Sequence, residues 1–196
     1  MPDTASDLVA RARLAARERR FGDARSDLQI AIDLLQDDGS HGELADALRS
    51  LGEVERRLRK PDAARAHYEE AVALYRDLDD PNTLAHTIRH LGDVHSDSGR
   101  FDLASPCYRE ALSIYLSHGN APPLDLANAI RSFALLNERT GNRDQARQLW
   151  AEAAELYKSV DVSDGVAECA RRLAALNAAP PAEGETLGIA GGEENT

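Results

Sequence analysis

The sequence predicts an all-α fold: an α-solenoid of four antiparallel helix pairs closed by a C-terminal capping helix. Three observations predict it. A pattern recurs four times, apolar residues fall at helical spacing inside each copy, and short breaks separate the helical stretches. A small residue opens the pattern at Ala12, Gly52, Gly92 and Ala134. Then come Ala24, Ala64, Ala104 and Ala146, followed by the large apolar Leu28, Tyr68, Tyr108 and Trp150. Each copy closes with Ala31, Ala71, Ala111 or Ala153 and then Leu34, Leu74, Ile114 or Leu156. The copies are 40, 40 and 42 residues apart. A fixed period of this length marks stacked units, none of which buries its own apolar face alone.

The units are expected at about 5–38, 41–79, 82–118 and 124–159, with a capping helix at 164–178. In the second, Leu44, Ala47, Leu48, Leu51 and Val54 make one helical stripe, and Ala64, Tyr68, Ala71, Val72 and Tyr75 another. Between them Pro61 suits a first helical turn, where its missing N–H costs nothing. Gly22, Gly99 and Gly141 are read as the corresponding breaks elsewhere. Ser40 with Glu43 reads as a capping box. Pro81-Asn82-Thr83 opens the third unit, Pro122-Pro123 precedes the fourth, and Ser163 opens the last helix. Pro106 falls inside a helix and predicts a local distortion rather than a break. Trp150 replaces a tyrosine of the pattern and belongs to the core. Residues 179–196 are Pro, Gly and Glu with almost no apolar content, and read as a disordered tail.

Composition narrows the function. The formal charge of −11 argues against nucleic acid or an anionic membrane as the main partner. No stretch approaches the roughly 20 apolar residues of a membrane span, and the first residues lack the apolar run of a secretory signal. Cys107 and Cys169 stand in no metal or redox spacing, so both are expected as buried, reduced thiols of a cytoplasmic protein. No cofactor motif or nucleophile motif is present, and no cofactor is expected.

The pattern resembles the tetratricopeptide repeat, in an extended form of about 40 residues similar to that of kinesin light chain and of bacterial regulatory proteins. Leu51-Gly52, Ala64, Tyr68 and Ala71 carry the resemblance, as do Leu91-Gly92, Ala104, Tyr108 and Ala111. Arg11-Ala12 and Phe133-Ala134 are weaker versions of the Leu-Gly pair. The resemblance implies a right-handed superhelix whose concave face, lined by the first helix of each pair, binds peptides or protein segments.

Carried over residue by residue, that geometry turns Val9, Arg49, Arg89, Arg131 and Arg171 towards the groove. It places Arg13, Arg17, Arg56, Arg57 and Arg139 there too, with Asp46, Glu53, Asp93, Asp97, Glu138 and Glu168 as the acids. Nine arginines against six acids make the groove basic within an acidic protein. Arginine where kinesin light chain often has asparagine favours carboxylate or phosphate recognition, because the guanidinium fork pairs with both. The other reading of the same residues is structural: Arg49 has Glu53 and Arg89 has Asp93 four residues on, and pairs between units would tie the stack together. The chaperone-binding carboxylate clamp is set aside, because Ser50, Glu53, His90 and Asp93 stand where it needs asparagines.

Two further features carry chemistry. His86, His90, Asp93 and Asp97 share one helix face, a spacing that could ligate zinc or another divalent ion, with Arg89 opposing it. The run Arg17-Glu18-Arg19-Arg20 is a solvated face or a docking patch for an acidic segment. The expected function is a non-catalytic cytoplasmic scaffold or adaptor that holds a peptide or protein segment, acidic or ending in a carboxylate. A sensor responding to a peptide or metabolite, and a metal-binding protein using His86 and His90, are the alternatives. Self-association through the first helix would give a homodimer.

Overall fold

The structure, a computed structural model, describes residues 3–178. The helices are α1 (Ala5–Arg17), α2 (Phe21–Asp38), α3 (His41–Arg57), α4 (Pro61–Arg76), α5 (Pro81–Asp97), α6 (Phe101–His118), α7 (Pro123–Arg139), α8 (Arg143–Ser159) and α9 (Ser163–Ala178). Each helix packs on the next, and α5 also touches α3 and α7. The odd-numbered helices thereby share one face of an all-α repeat solenoid. The expected disordered tail at 179–196 lies outside the described residues.

Every turn inside a pair uses one device. The first helix ends on a left-handed residue: Arg19, Arg59, Gly99 or Gly141, with φ of 61°, 60°, 74° and 81°. The next amide then reaches back to the last turn, from Arg20 to Ala15 O (2.8 Å), Lys60 to Glu55 O (2.9 Å), Arg100 to His95 O (2.9 Å) and Asn142 to Asn137 O (2.8 Å). This closure satisfies carbonyls that a helix end otherwise leaves open. Asp161 repeats it between α8 and α9, with φ 58°. Gly22 is therefore not the first break. It lies inside α2, and Arg19 makes the turn.

Helix starts also differ from expectation in one place. The capping box forms at Thr4 and Asp7, where each side chain bonds the other's backbone N–H. The Ser40 side chain makes no cap bond to α3. Pro61 and Pro81 open their helices as expected, Pro123 is already the first residue of α7 rather than preceding it, and Asp80 caps α5 by accepting from Thr83 N–H at 3.0 Å. Helix α6 continues through Pro106.

The small residues are close-contact points. A Cβ at Gly52 would meet the Tyr68 ring at 3.1 Å, and one at Gly92 would meet Tyr108 at 2.8 Å. The first and second helices of these pairs can approach only because no methyl intervenes. Gly165 does the same for α8 and α9, where an added Cβ would lie 2.6 Å from Tyr157. Trp150 is fully buried in the fourth unit. Cys169 is buried and Cys107 only half-buried, both as free thiols; burial pushes the Cys107 thiol up to about 11.

Candidate functional site on the odd-numbered helices

The odd-helix face is held together by polar ties that recur with the repeat. Tyr75 of α4 donates its hydroxyl to Asp46 of α3 at 2.7 Å, and Tyr157 of α8 donates to Asn128 of α7 at 2.8 Å. Tyr115 is the equivalent residue of α6, but His86 stands at the acceptor position, and the buried Tyr115 hydroxyl has no partner among the described residues. A second set ties the helices of the last three pairs: Tyr68 donates to Glu53 (3.2 Å), Tyr108 to Asp93 (2.9 Å) and Trp150 to Glu138.

Most of the arginines read from the sequence take part in such ties. Arg49 bonds Asp46 at 2.9 Å and the Tyr75 oxygen at 3.3 Å. Arg56 reaches Glu53 at 3.5 Å and, on the next unit, Asp97 at 3.2 Å. Arg57 takes the other oxygen of Glu53. Arg89 is 7% exposed and bonds Asp93 at 3.0 Å. Arg131 holds Glu168 with two bonds, and Arg139 donates to Ser96 at 2.9 Å while covering the Phe101 ring. Arg13, Arg17 and Arg171 are exposed and engage no carboxylate within 4 Å among the described residues.

These pairs set the charge states. Burial alone would raise the Asp93 carboxyl, but His90, Arg89 and Arg56 outweigh it and hold it at about 2. Burial would likewise raise Asp46 and Glu53, yet Tyr75 and Arg49 keep Asp46 below the usual carboxylate range, and Arg57, His90 and Arg56 keep Glu53 below it. His86 is pushed down to about 3 by burial, by His90 and by Arg89 and Arg49. His90 moves in the same direction, chiefly through burial.

The four side chains proposed for a metal do not converge. Nε2 of His90 accepts from Arg89 at 2.7 Å and faces Nε2 of His86 at 3.1 Å, while Nδ1 of His86 lies 3.6 Å from Asp125. Asp93 is taken by Arg89 and Tyr108, and the exposed Asp97 pairs with Arg56. No group of three or more His, Cys, Asp or Glu among the described residues is arranged to hold a metal ion. A shared helix face places donors in line, whereas coordination needs them around a point.

A cavity of about 450 Å³ opens on this face between α1, α3 and α5. Its polar lining is Arg13 and Arg17 of α1, Arg49, Ser50 and Glu53 of α3, and His86 and His90 of α5. Leu28, Val54 and Tyr68 are among its apolar walls. Tyr68 stacks on His90 with ring centres 5.7 Å apart, which joins the walls to the histidine pair. In the sequence Ser50 stands out only as a residue where a carboxylate clamp needs asparagine, and Tyr75 only as part of an apolar stripe. The recurrence of Tyr75, Tyr115 and Tyr157 at the repeat spacing was the available signal for the second.

The Tetratricopeptide repeat family model matches residues 3–77 and 43–117. The chain belongs to the tetratricopeptide repeat family. No curated protein matches it in sequence. Among solved structures, BtubC (BKLC) from P. vanneervenii is similar at 19% identity and TM-score 0.68, over 97% of this chain and 71% of that one. A Signal Transduction ATPase with Numerous Domains protein with a tetratricopeptide repeat sensor, from Pyrococcus horikoshii, is similar at 12% identity and TM-score 0.79. That match covers 88% of this chain and 26% of the other. A Podosopora anserina protein with nearly identical TPR-like repeats, named for kinesin light chain, aligns at 12% identity and TM-score 0.66, over 91% of this chain and 98% of that one. At these identities the likeness is one of fold. No helix among the described residues is long and apolar enough to cross a membrane.

Proposed function

We propose that this tetratricopeptide repeat protein is a non-catalytic cytoplasmic adaptor that holds an acidic peptide or protein segment against its odd-helix face. The observation that carries the reading is the open cavity between α1, α3 and α5, with arginines on its rim, in a chain whose fold serves protein–protein interaction. Arg49, Arg56, Arg89, Arg131, Arg139 and Arg171 recur along the face, with Glu53 and Asp93 between them. A rigid stack presents this surface ready-made, so binding orders the ligand more than the receptor. Peptide display against the immobilised protein tests the reading. Selected sequences rich in Asp and Glu, and released by salt, are expected; selection of basic sequences, or of none above a non-cognate helical control, overturns it.

Self-association through α1 belongs to the same reading. Leu14 is 54% exposed, although Val54, Val94 and Leu136 at its repeat positions are buried. Sedimentation across a concentration series tests this, and a monomer throughout rejects it. A second reading, a sensor whose superhelix changes pitch on binding, is favoured by the Pyrococcus neighbour, whose repeats are named a sensor. Small-angle scattering with and without a selected peptide separates the two, because an adaptor keeps its dimensions.

A further inference from the structure

We infer that charge recognition is concentrated in the cavity between α1, α3 and α5, as a subsite for the side-chain carboxylate of an acidic residue next to an apolar one. This rests on the acidic-segment reading above and moves its centre away from the recurring Arg49, Arg89, Arg131 and Arg171. The cations of this face differ in how much charge they have to spare. Arg56, Arg89 and Arg131 each already face a carboxylate within 3.5 Å, and Arg89 is buried as well. A ligand at those points would have to displace a pre-formed partner, which cancels most of the gain.

Arg13 and Arg17 differ. They stand one helical turn apart on α1, exposed, lining the cavity, with no carboxylate within ion-pair distance among the described residues. Residues four apart share a helix face, so both guanidinium groups can address one ligand. Arg49 lines the same cavity from α3 but already shares its charge with Asp46 at 2.9 Å, so it serves, with Ser50 beside it, as a fixed hydrogen-bonding wall rather than a free cation. Glu53 is the one acid in the lining among the described residues, and it is held by Arg56, Arg57 and Tyr68.

The rest of the lining selects what accompanies the carboxylate. Leu28, Val54 and Tyr68, with Ala12 and Ala16, form an apolar floor below the cationic rim. A volume of about 450 Å³ lies within the range of roughly 300–1,000 Å³ that ligand pockets occupy. An apolar side chain fills such a floor while the adjacent carboxylate meets the arginines. A lone acid would leave the floor wet, and a lone apolar residue would leave the arginines unanswered.

The test uses the whole chain and a Glu-Glu-Leu-Glu-Glu peptide, rhodamine-labelled at its N-terminus and amidated at its C-terminus, with Gln-Gln-Leu-Gln-Gln as the uncharged counterpart. Binding is followed by fluorescence anisotropy. The Arg13→Glu/Arg17→Glu variant is compared with Arg109→Glu/Lys158→Glu, which makes the same charge change on α6 and α8. Wild type is expected to bind the glutamate peptide in a salt-sensitive way and the glutamine peptide at least about tenfold more weakly. The α1 variant should lose at least about tenfold in affinity, and the outer variant little. Equal binding by both variants overturns the subsite and leaves the acidic-segment reading standing. No binding of the glutamate peptide by wild type overturns both. Thermal melts accompany the comparison; should the α1 variant melt lower, Arg13→Gln/Arg17→Gln repeats the test with the charge removed rather than reversed.

Discussion

Arg131 of α7 grips Glu168 of α9 through two parallel hydrogen bonds, from Nε at 2.7 Å and Nη2 at 2.9 Å. The pair joins helices of successive units and is half-buried, so it fixes the last helix to the stack better than an exposed pair would. Arg131→Gln should lower unfolding stability by about 1 kcal/mol. A double-mutant cycle with Glu168→Gln should give a coupling of at least about 0.5 kcal/mol. Additive losses in urea melts would mean that the pair contributes nothing of its own.

The Gly92–Tyr108 contact leaves no space for a methyl group. Gly92→Ala is expected to cost about 1–3 kcal/mol through overpacking. Gly22→Ala is the matched opposite: it lies in α2 with nothing within 4 Å of an added Cβ. It should gain a few tenths to about 1 kcal/mol from helix propensity. Thermal or chemical melts read both, and a neutral Gly92→Ala would show that the ring yields.

Arg59 holds a left-handed conformation that Gly99 and Gly141 adopt at equivalent turns. A residue with a Cβ pays about 1 kcal/mol there relative to glycine. Arg59→Gly should therefore stabilise the fold by up to about 1 kcal/mol, and Gly99→Ala should destabilise it by a similar amount. If both substitutions moved the melting temperature in the same direction, turn strain would not be the cause.

Stability should fall as the medium becomes acidic, beginning near neutrality. His86 is lowered to about 3 by burial, then by His90, Arg89 and Arg49, while an unfolded chain protonates it near 6.5. Between those values the unfolded state binds the extra proton, so His86 favours folding fully above about pH 6.5 and progressively less as pH drops towards 3. The slope from one such group approaches about 1.4 kcal/mol per pH unit. His90 and His95 are lowered too and add to it. Asp93, held at about 2, joins only below about pH 4. Urea melts from neutral to mildly acid pH should show a flatter dependence for His86→Asn than for wild type; parallel curves would exclude this histidine as the source.

What the sequence determined by itself is the architecture. Helix spacing, proline starts and the 40-residue period are properties of neighbouring residues, so the units and the close contacts at Gly52 and Gly92 could be read directly. Even so, two turns fall on Arg19 and Arg59, because the backbone needs a left-handed residue there whatever side chain it carries. Gly165 escaped notice because its demand comes from Tyr157 on another helix.

Which arginines are spent and which are spare was decided by tertiary structure. Arg56 meets Asp97 across 41 residues, Arg131 meets Glu168 across 37, and Arg139 meets Ser96 across 43. Those separations become contacts only when units stack, and the stacking angle selects the partner. A count of arginines against acids treats every charge as available, whereas Arg49, Arg56, Arg57, Arg89 and Arg131 are each matched by a carboxylate. Arg13 and Arg17 stand apart because the packing brings no carboxylate within ion-pair distance of either among the described residues, and a one-dimensional pattern contains no record of that.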